Sequence, residues 1–305
     1  MNHLMSIREL GRDTVLELLD SADFFKESRH DPKLRNLLLG KSIALLFEKA
    51  STRTRISLET AVYELGGNPL VISGASSQLS RGEPIEDTAR VLGRMVQAVT
   101  FRTFSEEHLR KLAQYSGVPV LNALTDQGHP LQILADLQTV RREFGTLEGL
   151  KCTWLGDGNN MSNSWIEAAG LLKLQLDLAV PEGFDPAPQL VSWANSQGAT
   201  VRVLRDPKAA CQGAHVLSTD VFASMGQESE AQERLKKFEG LRLTQALVNA
   251  ADKKSIVLHC LPAHRGEEID ADVLEGPNSR VWDQAEARLH TAKAALCWAL
   301  NVSAR

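Results

Sequence analysis

The sequence predicts an α/β protein of two domains. Short apolar runs that fit buried parallel strands, the first at residues 43–47, alternate with segments in which apolar residues recur at helical spacing. A length of 305 residues fits two domains, and the alternation restarts near residue 148. We expect domains at 1–147 and 148–282, with a last helix in 283–305 that packs back onto the first domain.

Composition limits the classes of partner. The net charge of -4 provides no electrostatic basis for binding nucleic acid or an anionic membrane. No apolar run approaches the ~20 residues needed to cross a bilayer, and the amino terminus lacks the apolar centre of a signal peptide. The four cysteines are scattered without a C-x-x-C pair, which fits a reducing cytoplasm better than a disulfide framework.

The first elements are a helix and a strand. A cap near Asp13 precedes a helical stripe of apolar residues from Val15 to Phe25, which we interpret as packing. The strand at 43–47 follows. A second helical stripe, from Leu58 to Leu65, ends at two glycines and therefore places a helix amino end just after the strand.

The polar run between this strand and this helix can hold a tetrahedral anion. It contains Ser51, Thr52, Arg53, Thr54 and Arg55, whose hydroxyl and guanidinium groups can donate to phosphate oxygens at a helix amino end. We call it the phosphate cradle. The glycine pattern of a nucleotide P-loop is missing. The alternative is an ordinary capped helix start with surface arginines.

The next strands carry polar groups at their ends. Strands are predicted at 69–72, 95–101 and 118–124, and the Ser- and Gly-rich segment at 73–84 is a loop that either binds a ligand or merely connects. Arg102 follows the third strand, where open α/β sheets bind ligands. A lone arginine there is more often an ion-pair partner on the surface.

A helix start follows the fourth strand. Pro130 fits the first helical position, which places His129 at the cap and Gln132 in the first turn. The apolar stripe continues to Phe144. Three polar strand ends therefore converge at one edge of the predicted sheet, although a single histidine in a loop is most often a satisfied polar group.

The second half repeats the alternation, with strands predicted at 153–155, 176–180, 201–204, 216–218 and 256–259. Residues 156–161 begin like a dinucleotide-binding loop, but Met161 stands where the third glycine is needed. Asn159 and Asn160 instead offer amide groups to a zwitterionic ligand.

Two further strand ends and the last helix are candidates. Asp220 can anchor an ammonium group, with the turn containing Ser224 and Met225 closing over it, or it belongs to a plain turn. Cys260 is a reactive thiol or part of a zinc site with His259 and His264, although the number of ligands falls short of a usual zinc set. The bond between Leu261 and Pro262 is expected to be cis. Arg288, taken alone, would be a solvated charge on the last helix.

Taken together, these stretches resemble the aspartate/ornithine carbamoyltransferase family, and within it the ornithine-specific members. The resemblance covers nearly the whole chain, through residues 47–55, 101–103, 129–132, 158–161 and 220–228, and also through 259–268. It implies two doubly wound parallel-sheet domains joined by interdomain helices, and trimers with active sites at subunit boundaries. It also implies transfer of the carbamoyl group of carbamoyl phosphate to L-ornithine, with neither a cofactor nor a metal.

The resemblance implies a role for each matched residue. Carbamoyl phosphate binding is expected of Ser51, Thr52, Arg53, Thr54, Gln78, Arg102, His129, Gln132, Cys260, Leu261 and Arg288, with Gln78 donated by a neighbouring subunit. Ornithine binding is expected of Asn160, Asp220, Ser224 and Met225. The catalytic residues are expected to be Arg53, Arg102, His129, Asp220 and Cys260.

Two features favour ornithine over aspartate: the loop with Gln78 lacks the lysine of aspartate-specific members, and His264 stands where those members have an arginine. Leu131 replaces a cysteine or threonine common in the family, which affects packing more than ligands. Acetylornithine and putrescine remain alternative amines. Outside this class, a nicotinamide-dependent oxidoreductase and a catalytically silent binding subunit remain alternative functions.

Overall fold

The computed structural model describes residues 1–74, 77–223 and 231–303. The chain divides into two compact units, one formed by 1–138 with 285–305 and the other by 139–284. We call them unit 1 and unit 2. The domain limits predicted from the sequence lie close to these divisions and remain a prediction.

Each unit contains one parallel sheet. The strands are β1 (Ser42–Phe47), β2 (Asn68–Ser73), β3 (Ala98–Arg102), β4 (Val120–Leu124), β5 (Lys151–Leu155), β6 (Gln175–Ala179), β7 (Thr200–Leu204), β8 (Val216–Thr219) and β9 (Ile256–His259). The strand order is β2-β1-β3-β4 in unit 1 and β7-β6-β5-β8-β9 in unit 2. In both sheets the order reverses beside the first strand, which is the doubly wound arrangement that was predicted.

Helices connect the strands. They are α1 (Ile7–Leu10), α2 (Arg12–Glu27), α3 (Thr52–Glu64), α4 (Ile85–Leu92), α5 (Glu106–Ser116), α6 (Pro130–Phe144), α7 (Asn160–Leu172), α8 (Pro188–Ser196), α9 (Pro207–Cys211), α10 (Ala231–Lys237), α11 (Gln245–Ala250), α12 (Ala271–Leu274) and α13 (Val281–Ala299). The divisions between the units fall inside α6 and α13, so the predicted interdomain helices are these two.

In unit 1 the central strands are covered on both faces. Every residue of β3 and β4 is buried, whereas the edge strand β2 is partly exposed. On one face, Leu46 and Phe101 pack with Ile85 of α4 and Leu109 of α5. This burial explains why the central strands read as continuous apolar runs rather than as alternating patterns.

In unit 2 the core follows the same principle. Leu155, Leu217 and Val257, from three neighbouring strands, pack with Phe238 after α10 and Val248 of α11. The sheet therefore has a buried centre whose strand ends are held at fixed positions.

The start and end of α3 have separate local causes. Ser51 caps the helix, because its Oγ accepts a hydrogen bond from the backbone N–H of Thr54 at 3.3 Å. After the helix, Gly66 has φ +83°, and a Cβ there would lie 1.7 Å from the carbonyl oxygen of Arg35. Only glycine fits this position.

Among the predicted boundaries that are wrong, two have a clear cause. Asp13 does not cap α2, which begins at Arg12 after Gly11 without a side-chain cap. The third strand begins at Ala98 rather than at Met95, whose side chain is exposed, and it includes Arg102 as its last residue. Asp13 is a residue type that favours helix caps, and Met95 is apolar like a strand residue, so each lies near a boundary without forming it.

Other predictions are confirmed. Helix α6 begins at Pro130, and the backbone carbonyl of His129 accepts the first helical hydrogen bonds, as expected of a cap residue. The peptide bond between Leu261 and Pro262 is cis. The sequence prediction did not include α4 and α5, although both carry apolar residues at helical spacing. None of the helices in the described ranges combines the length and hydropathy that crossing a membrane requires.

A buried carboxylate in unit 2 ties the edge of the sheet together. Asp177 on β6 accepts hydrogen bonds from Arg202 at 2.6 and 2.7 Å and faces the Nζ of Lys151 at 2.9 Å. Burial alone would raise the pKa of Asp177, but the hydrogen bonds from Arg202 and Lys151 outweigh burial and lower it.

We expect Asp177→Asn to lower the free energy of unfolding at pH 7 by about 2 kcal/mol, because charged hydrogen bonds are lost. Since the pKa of Asp177 is lower in the folded state, its contribution is present above the unfolded pKa of ~3.9 and is lost as pH falls through the folded pKa. The difference between the two proteins should therefore shrink below pH ~4. Urea unfolding at several pH values measures it, with the exposed Asp13→Asn as control. A difference that stays constant with pH would contradict this account.

Candidate functional site

Both sheets place polar groups at the point where the strand order reverses. In unit 1 this point lies between β1 and β3. The phosphate cradle follows β1, and Arg102 is the last residue of β3. In unit 2 this point lies between β5 and β8, whose carboxyl ends lead to residues 156–160 and to Asp220. Crevices at such points are where open α/β sheets bind ligands. Each unit therefore has its own candidate site.

The hydroxyl of Thr54 is the centre of the site in unit 1. Its Oγ1 accepts a hydrogen bond from Arg102 at 3.3 Å and another from Arg288 at 2.6 Å. Both arginines are buried: the exposed fraction is 8% for Arg102 and 6% for Arg288. With both oxygen lone pairs engaged, the O–H of Thr54 remains to donate to a further acceptor.

Arg288 is buried, so the interpretation of this residue, taken alone, as a solvated charge is wrong, whereas its expected role in carbamoyl phosphate binding remains a prediction. Helix α13 carries it into unit 1, where it is buried against Thr54 of α3, although the two residues are 234 positions apart. A second pair joins the same helices, because Lys293 donates to Glu64 and is fully buried. Sequence spacing alone gives no sign of either contact.

His129 lies among these cations and is neutral near pH 7. It is 4% exposed, and burial lowers the pKa of its imidazole well below the ordinary value. The positive charges of Arg288, Arg102 and Lys49 lower the pKa further. A neutral imidazole can donate or accept a hydrogen bond without adding a charge. The cations around it provide an electrostatic site for an anion.

The rest of the cradle is arranged around the start of α3. Ser51 is the cap, and Thr52 and Arg53 occupy the first turn, where unpaired N–H groups favour an anion. The guanidinium of Arg53 is half-buried and makes no hydrogen bond or ion pair with any residue that the structure describes. Arg55, by contrast, is exposed and paired with Glu59 at 2.9 Å. Arg53 is thus the cradle arginine that is available to a ligand.

Gln132 and Gln78 are in different surroundings. Gln132 is buried, and its Nε2 donates to Asp136 at 2.9 Å, while its Oε1 has no hydrogen-bond partner in the described ranges. A buried amide oxygen of this kind favours a donor from a ligand. Gln78 is exposed at the start of a short 3-10 helix.

In unit 2, Asp220 and Cys260 come together at the ends of β8 and β9. The half-buried carboxylate of Asp220 forms a side-chain hydrogen bond with Cys260 and accepts a hydrogen bond from the N–H of Val221 at 2.8 Å. Burial raises the pKa of Asp220 above its ordinary value. A carboxylate with few donors around it is suited to a cationic ammonium group. Leu261 follows Cys260 and is half-buried against the core of unit 2.

The ring of His259 is fully engaged and fits a metal poorly. Its Nδ1 accepts from the N–H of Leu261 at 2.9 Å, so the proton lies on Nε2, which donates to Glu268 at 3.1 Å. The ligand atoms of Asp220, His259 and Cys260 lie within 4.8 Å of one another, but a metal there would have to displace one of these hydrogen bonds. The geometry therefore favours the interpretation of Cys260 as a thiol beside Asp220.

Sequence reasoning missed the ion pair next to Asp220. Arg234 of α10 donates to the carboxylate of Asp157 and to the carbonyl oxygen of Phe222, and it stacks on the ring of Phe184 at 4.9 Å. Burial raises the pKa of Asp157, against the effect of Arg234, and Asp220 raises it further. Asp157 lies in the loop at 156–161, but nothing in the sequence connects it with Arg234.

The two asparagines of the loop before α7 differ. The Oδ1 of Asn159 caps the helix and accepts from the N–H groups of Met161 and Ser162 at 2.8 and 3.0 Å. Its Nδ2 is buried and has no partner among the residues described. Asn160 begins α7 and is half-buried. Ser224 and Met225, expected from the resemblance to bind ornithine, lie outside the described residues.

Comparison with known proteins also divides the chain near residue 140, although it counts most of α13, which belongs to unit 1 by its contacts, with the second domain. Residues 2–142 match the carbamoyl-P binding domain of the aspartate/ornithine carbamoyltransferase family, and residues 148–299 match its Asp/Orn binding domain. The ornithine carbamoyltransferase of Desulfotalea psychrophila is 50% identical over 296 residues, covering 97% of this chain and 98% of that protein. That of Pelobacter propionicus is 49% identical over 293 residues, 96% of each chain.

Solved structures show the same similarity in three dimensions. The ornithine carbamoyltransferase of Pyrococcus furiosus matches with a TM-score of 0.93 and 43% identity over 97% of this chain and 96% of that one. The Thermus thermophilus enzyme gives a TM-score of 0.90 and 42% identity over 98% of each chain. The family domains, the sequence identity and the shared fold cover nearly all of the residues whose geometry is described above. The chain therefore belongs to the aspartate/ornithine carbamoyltransferase family.

Proposed function

We propose that this chain is an enzyme that transfers the carbamoyl group of carbamoyl phosphate to the δ-amino group of L-ornithine, giving L-citrulline and phosphate. One observation carries the proposal above the others: Thr54 and Arg102 of the anion site of unit 1 lie in the part of the chain that matches a carbamoyl-phosphate-binding domain. Arg288 of α13 completes this site, although its segment belongs to the second matched domain. The near full-length similarity to proteins named ornithine carbamoyltransferase supports the choice of amine.

Carbamoyl phosphate fits the groups in unit 1. Its phosphate carries the charge that Ser51, Thr52, Arg53 and the amino end of α3 are suited to bind. Its carbonyl oxygen can accept from the O–H of Thr54, from Arg102 or from His129. The Oε1 of Gln132 can accept from the carbamoyl amide, since nothing else in the described chain bonds to it.

The reaction needs stabilisation of two negative charges. As the amine attacks the carbamoyl carbon, charge develops on the carbonyl oxygen, where one positioned donor contributes ~3 kcal/mol. The phosphate then departs with the electron pair of the broken C–O bond and takes up the proton that the attacking nitrogen releases, and Arg53 together with the helix amino end stabilises it. His129 donates as a neutral imidazole, because its low pKa prevents protonation near pH 7.

The amine must lose a proton before it attacks. An alkylammonium group holds its proton to about pH 10 in water, so binding must favour the neutral form. Asp220 and Cys260 are proposed to hold the amino acid in unit 2, and the Nδ2 of Asn159 is an additional donor for its carboxylate. Asn160, Ser224 and Met225 are proposed for the same substrate on the family resemblance.

Assembly and location extend the same proposal. A homotrimer would bring the exposed Gln78 of one subunit to the site of its neighbour, as the family resemblance implies. None of the four cysteines forms a disulfide within the described residues, which supports a reducing cytoplasm. The product would serve arginine synthesis.

The substrate is tested by offering ornithine, acetylornithine, putrescine and aspartate in parallel with carbamoyl phosphate. We expect release of phosphate and a carbamoylated product with ornithine at a kcat/KM at least ~100-fold above the others, because a site built around a hydrogen-bonded ligand rejects analogues that leave its polar groups unpaired. Preference for another amine would change the assigned substrate. A lack of turnover with every amine, together with intact carbamoyl phosphate binding, would favour the silent binding subunit.

The cradle is tested by a matched pair of arginine variants. Arg53→Ala should weaken binding of carbamoyl phosphate about 100-fold, because a bidentate charged contact of roughly 3 kcal/mol is lost. Arg55→Ala, two positions away, removes an exposed side chain that pairs with Glu59 and should change binding less than ~3-fold. Isothermal titration measures both. Equal effects of the two substitutions would refute the assignment of Arg53.

The amine site is tested at Asp220. Asp220→Asn should lower kcat/KM for ornithine about 10- to 100-fold, because a charged hydrogen bond is lost. Since the pKa of Asp220 is raised, the wild-type carboxylate protonates above the usual pH of ~3.9, and kcat/KM should fall on the acid side at that higher pH. The exposed Asp185→Asn serves as control. An unchanged KM for ornithine in Asp220→Asn would remove this residue from the site.

A further inference from the structure

A second group of metal-ligating side chains in unit 2 lies outside the sites described above. It consists of His264, Glu267 and Glu268, each of which offers one ligand atom, and these atoms lie within 4.8 Å of one another. His264 and Glu267 are exposed, and Glu268 is fully buried. We infer that these three residues form a binding site for a divalent transition metal of the zinc class.

The distances within the cluster fit a bridging cation better than they fit direct hydrogen bonds. The Nδ1 of His264 lies 3.6 Å from a carboxylate oxygen of Glu267 and 3.8 Å from the Oε2 of Glu268. Both exceed the ~3.2 Å limit of an ordinary N–H···O bond. Two metal–ligand bonds of ~2.1 Å at a tetrahedral angle span ~3.4 Å, so small rotations of the two exposed side chains would complete the coordination.

The buried carboxylate of Glu268 is a second observation, separate from the spacing of the three side chains, that points to a bound cation. One oxygen of Glu268, Oε1, accepts from the Nε2 of His259 and from the N–H of His264. The other, Oε2, is buried and has no hydrogen-bond partner among the residues that the structure describes. A buried carboxylate oxygen without a donor is costly unless a cation or another donor satisfies it. This oxygen is directed at His264, and its side chain is fixed by its other two contacts.

The chemistry of the three donors selects the metal. One imidazole nitrogen and two carboxylate oxygens suit zinc and similar divalent ions, whereas calcium prefers six to eight oxygen ligands. Three protein ligands leave a coordination position for water. Two backbone hydrogen bonds hold the turn that carries these residues. The N–H of Gly266 donates to the carbonyl oxygen of Ile269 at 2.8 Å, and the N–H of Glu267 donates to the carbonyl oxygen of His264 at 2.9 Å.

Zinc binding to the full-length protein tests the inference, and Cys260→Ser removes the competing thiol cluster. In that background we expect one zinc ion per chain by isothermal titration. His264→Asn and Glu267→Gln, each added separately, should weaken its affinity roughly 10- to 100-fold or more. Glu275→Gln, which alters an exposed carboxylate paired with Arg265 near the same turn, should leave the affinity unchanged. Circular dichroism checks that each variant is folded.

Cobalt provides a second measurement on the protein with Cys260 intact. Binding at the His264 cluster should give d–d absorption without a sulfur-to-cobalt charge-transfer band, because all of its ligands are nitrogen or oxygen. Three results would overturn the inference: loss of zinc binding in Cys260→Ser, unchanged affinity in both His264→Asn and Glu267→Gln, or an affinity no stronger than that of free imidazole. Any of them would leave the cluster as ion pairs between a histidine and two carboxylates.

Discussion

The hydrogen bonds from Arg102 and Arg288 to one hydroxyl, that of Thr54, hold the anion site of unit 1 together. They join the end of a buried strand, the first turn of α3 and the middle of α13. Like charges repel at this distance, so two buried guanidinium groups on one oxygen are stable only with further polar partners around them. A doubly charged ligand at this point relieves the repulsion, which is why binding of an anion and order of the site belong together.

The two units use the same topological device for different charges. In each sheet the strand order reverses beside the first strand, so consecutive crossovers diverge and leave a crevice at the carboxyl ends. In unit 1 the residues at the strand ends include cations and a neutral histidine. In unit 2 they include carboxylates, amides and a thiol. Fold alone does not distinguish them. The residues at strand ends decide that one crevice suits an anion and the other an amine.

The sequence predicted much of this because the relevant signals are local. Buried strands left apolar runs, Pro130 marked a helix start, and the hydroxyl-rich run followed a strand as a ligand-binding segment should. Asp13 shows the limit of a local signal, because a residue type that favours caps lies here inside the first turn, after the cap Gly11. Arg288 shows a different limit. Its burial depends on a partner 234 residues away, and no local pattern contains that information.

Asp157 and Asn159 also have roles that their local sequence does not show. The ion pair of Asp157 with Arg234 joins residues 77 positions apart, and the sequence shows two ordinary charges. Asn159 was expected to offer an amide to a ligand, but its oxygen caps α7 and only its nitrogen remains. Local helix chemistry and ligand chemistry compete for the same side chain, and only coordinates show how its two ends are divided between them.

The discontinuity of unit 1 has a consequence for biosynthesis. Unit 2 is a single stretch of chain, whereas residues 285–305 belong to unit 1 and are translated after all of unit 2 has been made. Domains form during synthesis as their residues leave the ribosome, so sheet formation in unit 1 can precede arrival of Arg288 and Lys293 by more than a hundred codons. The nascent protein consequently holds an incomplete anion site until α13 emerges, and ribosomal stalling before that helix would yield a product with both sheets but without the buried guanidinium of Arg288.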